Sequence, residues 1–185
     1  MSYSVIPPEL WKYLVASYFV THMANFLLLI KAIKMKSAQY ISYDTQVLQF
    51  TANIARIFWF NDTDVPYIGA AWAEVVAGLI LNIVMIMLCH RLKDTKKTNV
   101  PSYLKWQTLF MLAVLLAYKQ CRVRYNSQTE CFALFTSFAD TFSMVAQLHH
   151  LWFLKRVEGY HKGYVMIRLQ SHLMRVTMWA KFTDI

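Results

Sequence analysis

Five ionisable side chains stand in stretches that otherwise carry almost no charge: Arg56, Glu74, Asp140, Arg168 and Arg175. His22 and His172 stand beside them in the same kind of surroundings. A charge deep in lipid costs on the order of 2.5–3.5 kcal/mol on insertion scales, so such residues are expected to face a partner or a wet cavity. Two readings are open for Arg56. Its guanidinium either snorkels to the membrane surface or forms a fixed cation at the floor of a cavity. In the second case it is an anchor for an anionic ligand, because a guanidinium fork pairs with a carboxylate through two parallel hydrogen bonds. Asp140 needs a cation or a proton, and Arg175 is the candidate partner. That pair is either structural or one that exchanges partners as the site changes state; a buried ion pair alone is weak evidence for stability. Glu74 reads as an exposed or cavity-facing carboxylate. His22 is either a satisfied core imidazole or a proton-responsive one, since histidine titrates near pH 6.5 unless its surroundings move it.

Other chemistry finds little support. His149 and His150 are adjacent, and neighbouring helical positions point about 100° apart, which makes a poor bidentate metal site. No His/Cys spacing supports zinc, no nucleophile stands with a base at motif spacing, and no glycine loop cradles a phosphate. We therefore expect no enzyme, no cofactor and no metal. The 185 residues are 57% hydrophobic but only 16% charged, with net charge +9 and mean hydropathy +0.32. Average globular chains are about 45–50% apolar and about 25% charged. This disfavours a soluble enzyme, and four Gly and four Pro disfavour a disordered or collagen-like chain. Nucleic-acid binding is not expected, because charge is missing from long stretches rather than spread over a face.

The elements that must position these residues are membrane helices, each needing about 20 apolar residues. We expect an all-α polytopic membrane bundle with six transmembrane helices, near 10–33, 42–60, 65–89, 102–118, 131–154 and 164–182, forming one domain over 1–185. The first helix is expected to act as an uncleaved targeting signal. Eleven basic residues fall in the loops after helices 1, 3 and 5, from Lys31 through Lys105 to Lys162. The positive-inside rule puts that side in the cytosol and the N-terminus in a lumen. Trp11 and Trp59 then lie at the luminal interface, and Trp106 and Trp152 at the cytosolic one. Asn61-Asp62-Thr63 is a glycosylation sequon on the luminal side, used or unused. Cys121 and Cys131 bracket a luminal loop, as a disulfide or as two free thiols. Gln46 in helix 2 and Gln147 in helix 5 each stand at a helix end near a basic turn, a faint internal echo of the kind common in transporters.

Several segments resemble the KDEL receptors, the ER lumen protein-retaining receptors. Ile41-Ser42, Gln46-Val47-Leu48 and then Arg56 are similar to their second helix. Phe135-Thr136-Ser137 through Asp140 to Val145-Ala146-Gln147-Leu148 resembles their fifth, and Arg91-Leu92-Lys93-Asp94-Thr95 their basic cytosolic turn. Glu130 falls where the family has a glutamate, and Arg175 and Trp179 resemble residues of its sixth helix. The resemblance implies the helical fold shared with SWEET and PQ-loop transporters. It also implies a receptor for the C-terminal Lys/His-Asp-Glu-Leu tails of luminal proteins, favoured at acidic pH, in the endoplasmic reticulum and cis-Golgi. By motif, Arg56 would hold the ligand carboxylate, Asp140 would take the place of a helix 5 glutamate, and His22 would stand in for the proton-sensing histidine. Lys12, His22, Glu74, Glu130, Asp140 and Arg175 would line the luminal cavity, with Arg122 or Arg124 at its mouth. Partners would be such peptides, lipids and cytosolic coat machinery.

The departures are specific. The family reads Arg-Tyr-x-Asp where this chain has Arg56-Ile57-Phe58-Trp59, so the Asp that meets the basic end of the signal is missing. The family's seventh helix and lysine-bearing tail have no counterpart before Ile185, so the chain is expected to be a six-helix member or a piece of a longer protein. Two other functions share these elements: a small-solute carrier for sugars or amino acids, and a non-catalytic membrane scaffold.

Overall fold

The computed structural model describes residues 8–61, 68–93, 101–124, 128–153 and 159–183. These residues form six α-helices and no strand: α1 Pro8–Met35, α2 Tyr43–Asn61, α3 Ile68–Arg91, α4 Trp106–Arg124, α5 Gln128–Phe153 and α6 Gly159–Thr183. A short 3₁₀ turn, Ser102–Leu104, precedes α4. The fold is therefore all-helical, as expected, with shifted ends. The expected fourth helix began at 102 and stopped at 118. In the structure it begins at Trp106 and runs on through Lys119 and Arg122, exposed side chains that extend from a helix end without breaking it.

Local chemistry sets the helix ends. α1 opens on a proline, whose missing N–H would be unpaired there anyway. It closes on Lys36 with φ 47°, and the Ser37 N–H reaches the Ala32 carbonyl while the Lys36 N–H reaches Ile33. This is a Schellman closure made without glycine. Ser42 caps α2, its hydroxyl oxygen accepting from the Thr45 N–H at 3.2 Å. Asp44, in the first turn of α2, accepts from the Trp106 N–H at 3.0 Å and so caps a different helix, α4.

α2 packs against α5 on one side and α3 on the other; α1 packs against α6 and α3; α4 lies on α5 and more lightly on α2. The arrangement is inside-out relative to a water-soluble bundle. Polar residues at spacings of three and four are buried along α2 (Gln46, Gln49, Asn53, Arg56) and along α5 (Thr136, Asp140, Ser143, Gln147, His150). Shorter stripes follow in α6 (Arg168, Ser171, Arg175) and α1 (Ser17, Thr21, Asn25). The outward faces carry Met23, Phe26, Ile33, Ile80, Met87, Leu115, Met166 and Leu173. A stripe at this spacing lies on one side of a helix, so these four helices turn a polar face to their neighbours.

Among the described residues three helices are long and apolar enough to cross a membrane: Trp11–Met35, Gly69–Arg91 and Cys131–Leu151. This supports a membrane protein. α2, α4 and α6 do not meet that standard, so the six-span reading is not established by composition alone. Several residues that lower the hydropathy are turned inward: Gln46, Gln49, Asn53 and Arg56 in α2, and Arg168 and Arg175 in α6.

Apolar clusters close the polar seam at both ends. Trp11, Leu14, Tyr18, Trp59, Phe60, Val75 and Ala133 pack where α1 begins and α2 ends, with the Trp11 and Trp59 rings 5.3 Å apart. Ala24, Leu28, Ala38, Ile41, Met85, Leu151 and Tyr164 pack toward the opposite end.

Candidate functional site

Arg56 sits on the inner face of α2, a turn and a half from its end. Its guanidinium is wholly buried. Both terminal nitrogens donate to Glu74, one to each carboxylate oxygen, the first at 2.9 Å. The Tyr18 ring lies 3.6 Å from the guanidinium carbon and the Phe60 ring 5.2 Å from it. His22 Nε2 contacts the Glu74 Oε1 that Arg56 also uses. Two expectations are thereby corrected. Arg56 does not face an open luminal cavity; Glu74 and the aromatic cluster occupy that direction. Glu74 is not an exposed or cavity-facing carboxylate but the buried partner of both cationic candidates. The physical cause is depth: Arg56 lies near the end of α2 and Glu74 near the start of the antiparallel α3, so the two meet at one level.

Gly78, one turn beyond Glu74, makes room for the imidazole. A Cβ there would collide with the His22 ring and lie 2.9 Å from the Asn53 amide nitrogen. Asn53 continues the network, its amide donating to Asn82 Oδ1 at 3.0 Å, and Asn82 donates to Gln46 Oε1 at 2.9 Å.

The second cluster joins α5 and α6. Arg175 Nη1 donates to Asp140 Oδ2, and its Nη2 donates to Ser171 at 3.0 Å. Arg168 Nη2 stands 3.6 Å from Asp140 Oδ1 and donates to the Ser143 hydroxyl at 3.2 Å. With the Gln49 amide oxygen turned toward Arg168, both terminal nitrogens find it at 3.0 and 2.9 Å. Arg168 is thus held mainly by neutral acceptors, and Asp140 is shared between two guanidiniums. His172 Nε2 lies 3.9 Å from Asp140. Tyr18 connects the clusters, since its ring also lies 4.6 Å from the Arg175 guanidinium.

In the middle of the bundle three guanidiniums therefore face two carboxylates among the described residues. Lys31 and Asp44 are buried farther along, one of each sign, and leave the surplus unchanged. The Nε atoms of Arg56, Arg168 and Arg175 and the Nδ1 of His22 are buried with no hydrogen-bond partner. The three arginine Nε–H groups are unpaired buried donors, which are costly.

The other sequence candidates fall elsewhere. Gln147 fixes the approach to α2: its amide donates to the Tyr40 carbonyl at 3.0 Å and accepts from the Ser42 N–H at 3.1 Å. Gln46 instead points into the seam, so the echo between the two glutamines is not an echo of role. Lys12 is exposed near the start of α1, and Arg122 is exposed with the Tyr118 ring 5.6 Å away. The side chains of Arg124, Glu130, Trp152 and Trp179 lie outside the described residues, as do Asp62 and Thr63 of the sequon. Cys121 and Cys131 form a disulfide across the α4–α5 connection. Sequence reasoning missed Tyr18, Asn53, Gln49, Asn82, Ser143 and Gly78; the polar spacing of α2 and α5 was the signal that pointed to several of them.

Two grooves are apolar and open outward. One, about 430 Å³, lies between α2, α4 and α5 and is lined by Ile54, Phe58, Phe110, Val114, Phe132 and Phe135. The other, about 490 Å³, runs along α1 and α3 past His22, Phe26 and Ile80. Among the described residues no group of His, Cys, Asp and Glu is arranged to hold a metal ion. Comparison of the chain with protein-family models and with curated proteins gives no match.

Proposed function

We propose that this chain is a six-span membrane receptor that binds an acidic chain terminus from the luminal side, a retrieval receptor of the KDEL kind. The observation that carries the reading is the charge count of the interior: three buried guanidiniums to two carboxylates, with unpartnered N–H groups. A surplus cation in low dielectric is expensive. An incoming carboxylate supplies the missing charge and accepts the waiting donors, and guanidinium is the group best shaped to take it. The disulfide at the α4–α5 end supports placing that end in an oxidising lumen, the side that the loop charges also assign to it.

Access runs through the Trp11–Trp59–Phe60 cluster, which lies over Arg56 and has to part for a peptide to enter. Around the His22 imidazole stand Glu74 from α3 and, through the same carboxylate, Arg56 from α2, while Arg175 from α6 lies against the Tyr18 ring that also meets Arg56. Acid-favoured binding is what the likeness to the KDEL receptors leads us to expect. Because the family's Tyr and Asp after Arg are replaced by Ile57 and Trp59, the basic end of the signal is read differently or not at all.

The test is binding of peptides ending in Lys-Asp-Glu-Leu at about pH 5.5 and about pH 7.4. Tighter binding at the lower pH, with loss on Arg56→Gln, is expected. Absence of binding at both, or an Arg56→Gln variant that binds like the parent, refutes the receptor reading. Closure of the seam at both ends also favours a second reading, an occluded small-carboxylate carrier. Flux of small carboxylates into reconstituted vesicles without peptide affinity would select it.

A further inference from the structure

We infer that Glu74 is a built-in occupant of the Arg56 site: a carboxylate supplied by the chain itself, which an external carboxylate has to displace, so that Glu74 sets how tightly the site binds. Only the identity of the natural ligand rests on the preceding section; the exchange itself does not.

The geometry is that of a carboxylate cradle already filled. Both Glu74 oxygens meet both terminal nitrogens of Arg56, the pairing by which a guanidinium takes any carboxylate. Tyr18 and Phe60 wall the guanidinium on its faces, which leaves the Glu74 edge as the direction in which it pairs with an anion. The occupant is a flexible side chain rather than a backbone group, so it can leave by rotamer change while α3 stays in place. It also has somewhere to remain. His22 touches the same Oε1, and Gly78 keeps the space in which that imidazole sits. On displacement Glu74 keeps His22 as its partner, and the newcomer takes Arg56. The cluster of α5 and α6 has no such device: there the carboxylate is short by one rather than matched.

The test uses the purified full-length chain in detergent and acetate as the probe, with chloride at equal ionic strength as control, reading thermal unfolding. E74A empties the cradle. Its unfolding temperature is expected to fall below that of the parent and to be recovered, at least in part, by acetate and not by chloride. Parent protein and an E74A/R56Q double variant are expected to show only the smaller acetate response that the surplus guanidinium of the α5–α6 cluster allows. E74Q, of the same shape but neutral, is the second variant; its amide yields more easily, so acetate raises its unfolding temperature too. In peptide binding E74Q is expected to gain about tenfold in affinity, about 1.4 kcal/mol. A folded E74A or E74Q that ignores acetate overturns the inference. So does an acetate response as large in E74A/R56Q as in E74A, or an E74Q that neither folds in chloride nor is recovered by acetate during solubilisation. Acetate rescue without any peptide binding leaves Glu74 in this role and removes only the receptor reading. Peptide binding by the parent with no effect of E74Q and no rescue does the reverse.

Discussion

The two ion clusters of this bundle are built from the same residue types and reach opposite balances. Between α1, α2 and α3, one guanidinium meets one carboxylate through both pairs of atoms, with an imidazole completing the set. Between α5 and α6, one carboxylate is divided between two guanidiniums, and a second imidazole stands 3.9 Å away. In the first cluster the charge of Arg56 is matched by that of Glu74. The second carries a charge that the chain does not neutralise. Buried arginine is thus not one signal with one meaning. What distinguishes a structural pair from an incomplete site is the local count of opposite charges, and that count needs the tertiary partners.

The largest expected effect comes from breaking the overdrawn cluster. Asp140→Asn leaves two guanidiniums side by side with no anion, and removing one partner of a buried pair costs about 3–5 kcal/mol. We expect the upper end, read as loss of the monodisperse peak on size-exclusion chromatography. Parent-like behaviour would mean that Asp140 is not what holds α5 to α6. Glu74→Gln strips charge from the balanced cluster but keeps the shape, and only one cation is left behind. It is expected nearer the lower end, about 3 kcal/mol, in thermal unfolding without added carboxylate. A cost larger than that of Asp140→Asn would reverse the comparison.

Gly78→Ala is a steric probe of the first cluster alone. Its Cβ runs into the His22 ring, and overpacking costs about 1–3 kcal/mol. Stability unchanged from the parent would show that the imidazole does not occupy that space. The smallest effect on stability is expected for Arg168→Gln. It removes the surplus cation and leaves the Asp140–Arg175 pair intact, so unfolding is expected to change by less than about 1 kcal/mol or to improve. Ligand affinity should nevertheless fall. A strong destabilisation would mean that Arg168, not Arg175, is the main partner of Asp140.

Much of the frame was legible in the sequence. Apolar length marked α1, α3 and α5 most clearly, because a spanning helix has to satisfy its backbone internally and present apolar side chains outward. The limits of α4 were not legible, because Lys119 and Arg122 read as a stop although long basic side chains tolerate a helix end. The candidate residues Arg56, Asp140, Arg175 and His22 were recognisable as charges or titratable groups in apolar company. Their partners were less so. The Arg175–Asp140 pair joins helices in contact and follows from the need of each charge for the other. Glu74 was misjudged because a charge near a helix end looks solvated until its depth is matched with that of Arg56 on the neighbouring antiparallel helix. The amides were present as a pattern, Gln46, Gln49, Asn53 and Arg56 on one stripe, but were counted as blemishes in a span. Read by period, they mark the face that turns inward. Tyr18 and Gly78 carried no such mark, since a tyrosine and a glycine in an apolar run announce neither a cation nor a space.

The central claim is that the interior is short of one carboxylate and that a ligand's chain end supplies it. Calorimetric titration of the full chain at about pH 5.5, with two peptides of identical sequence ending in Asp-Glu-Leu, one a free acid and one a C-terminal amide, tests this most directly. The account predicts binding of the acid and a loss of at least about tenfold for the amide, about 1.4 kcal/mol. Equal affinity for the two, or heat from neither, would contradict it.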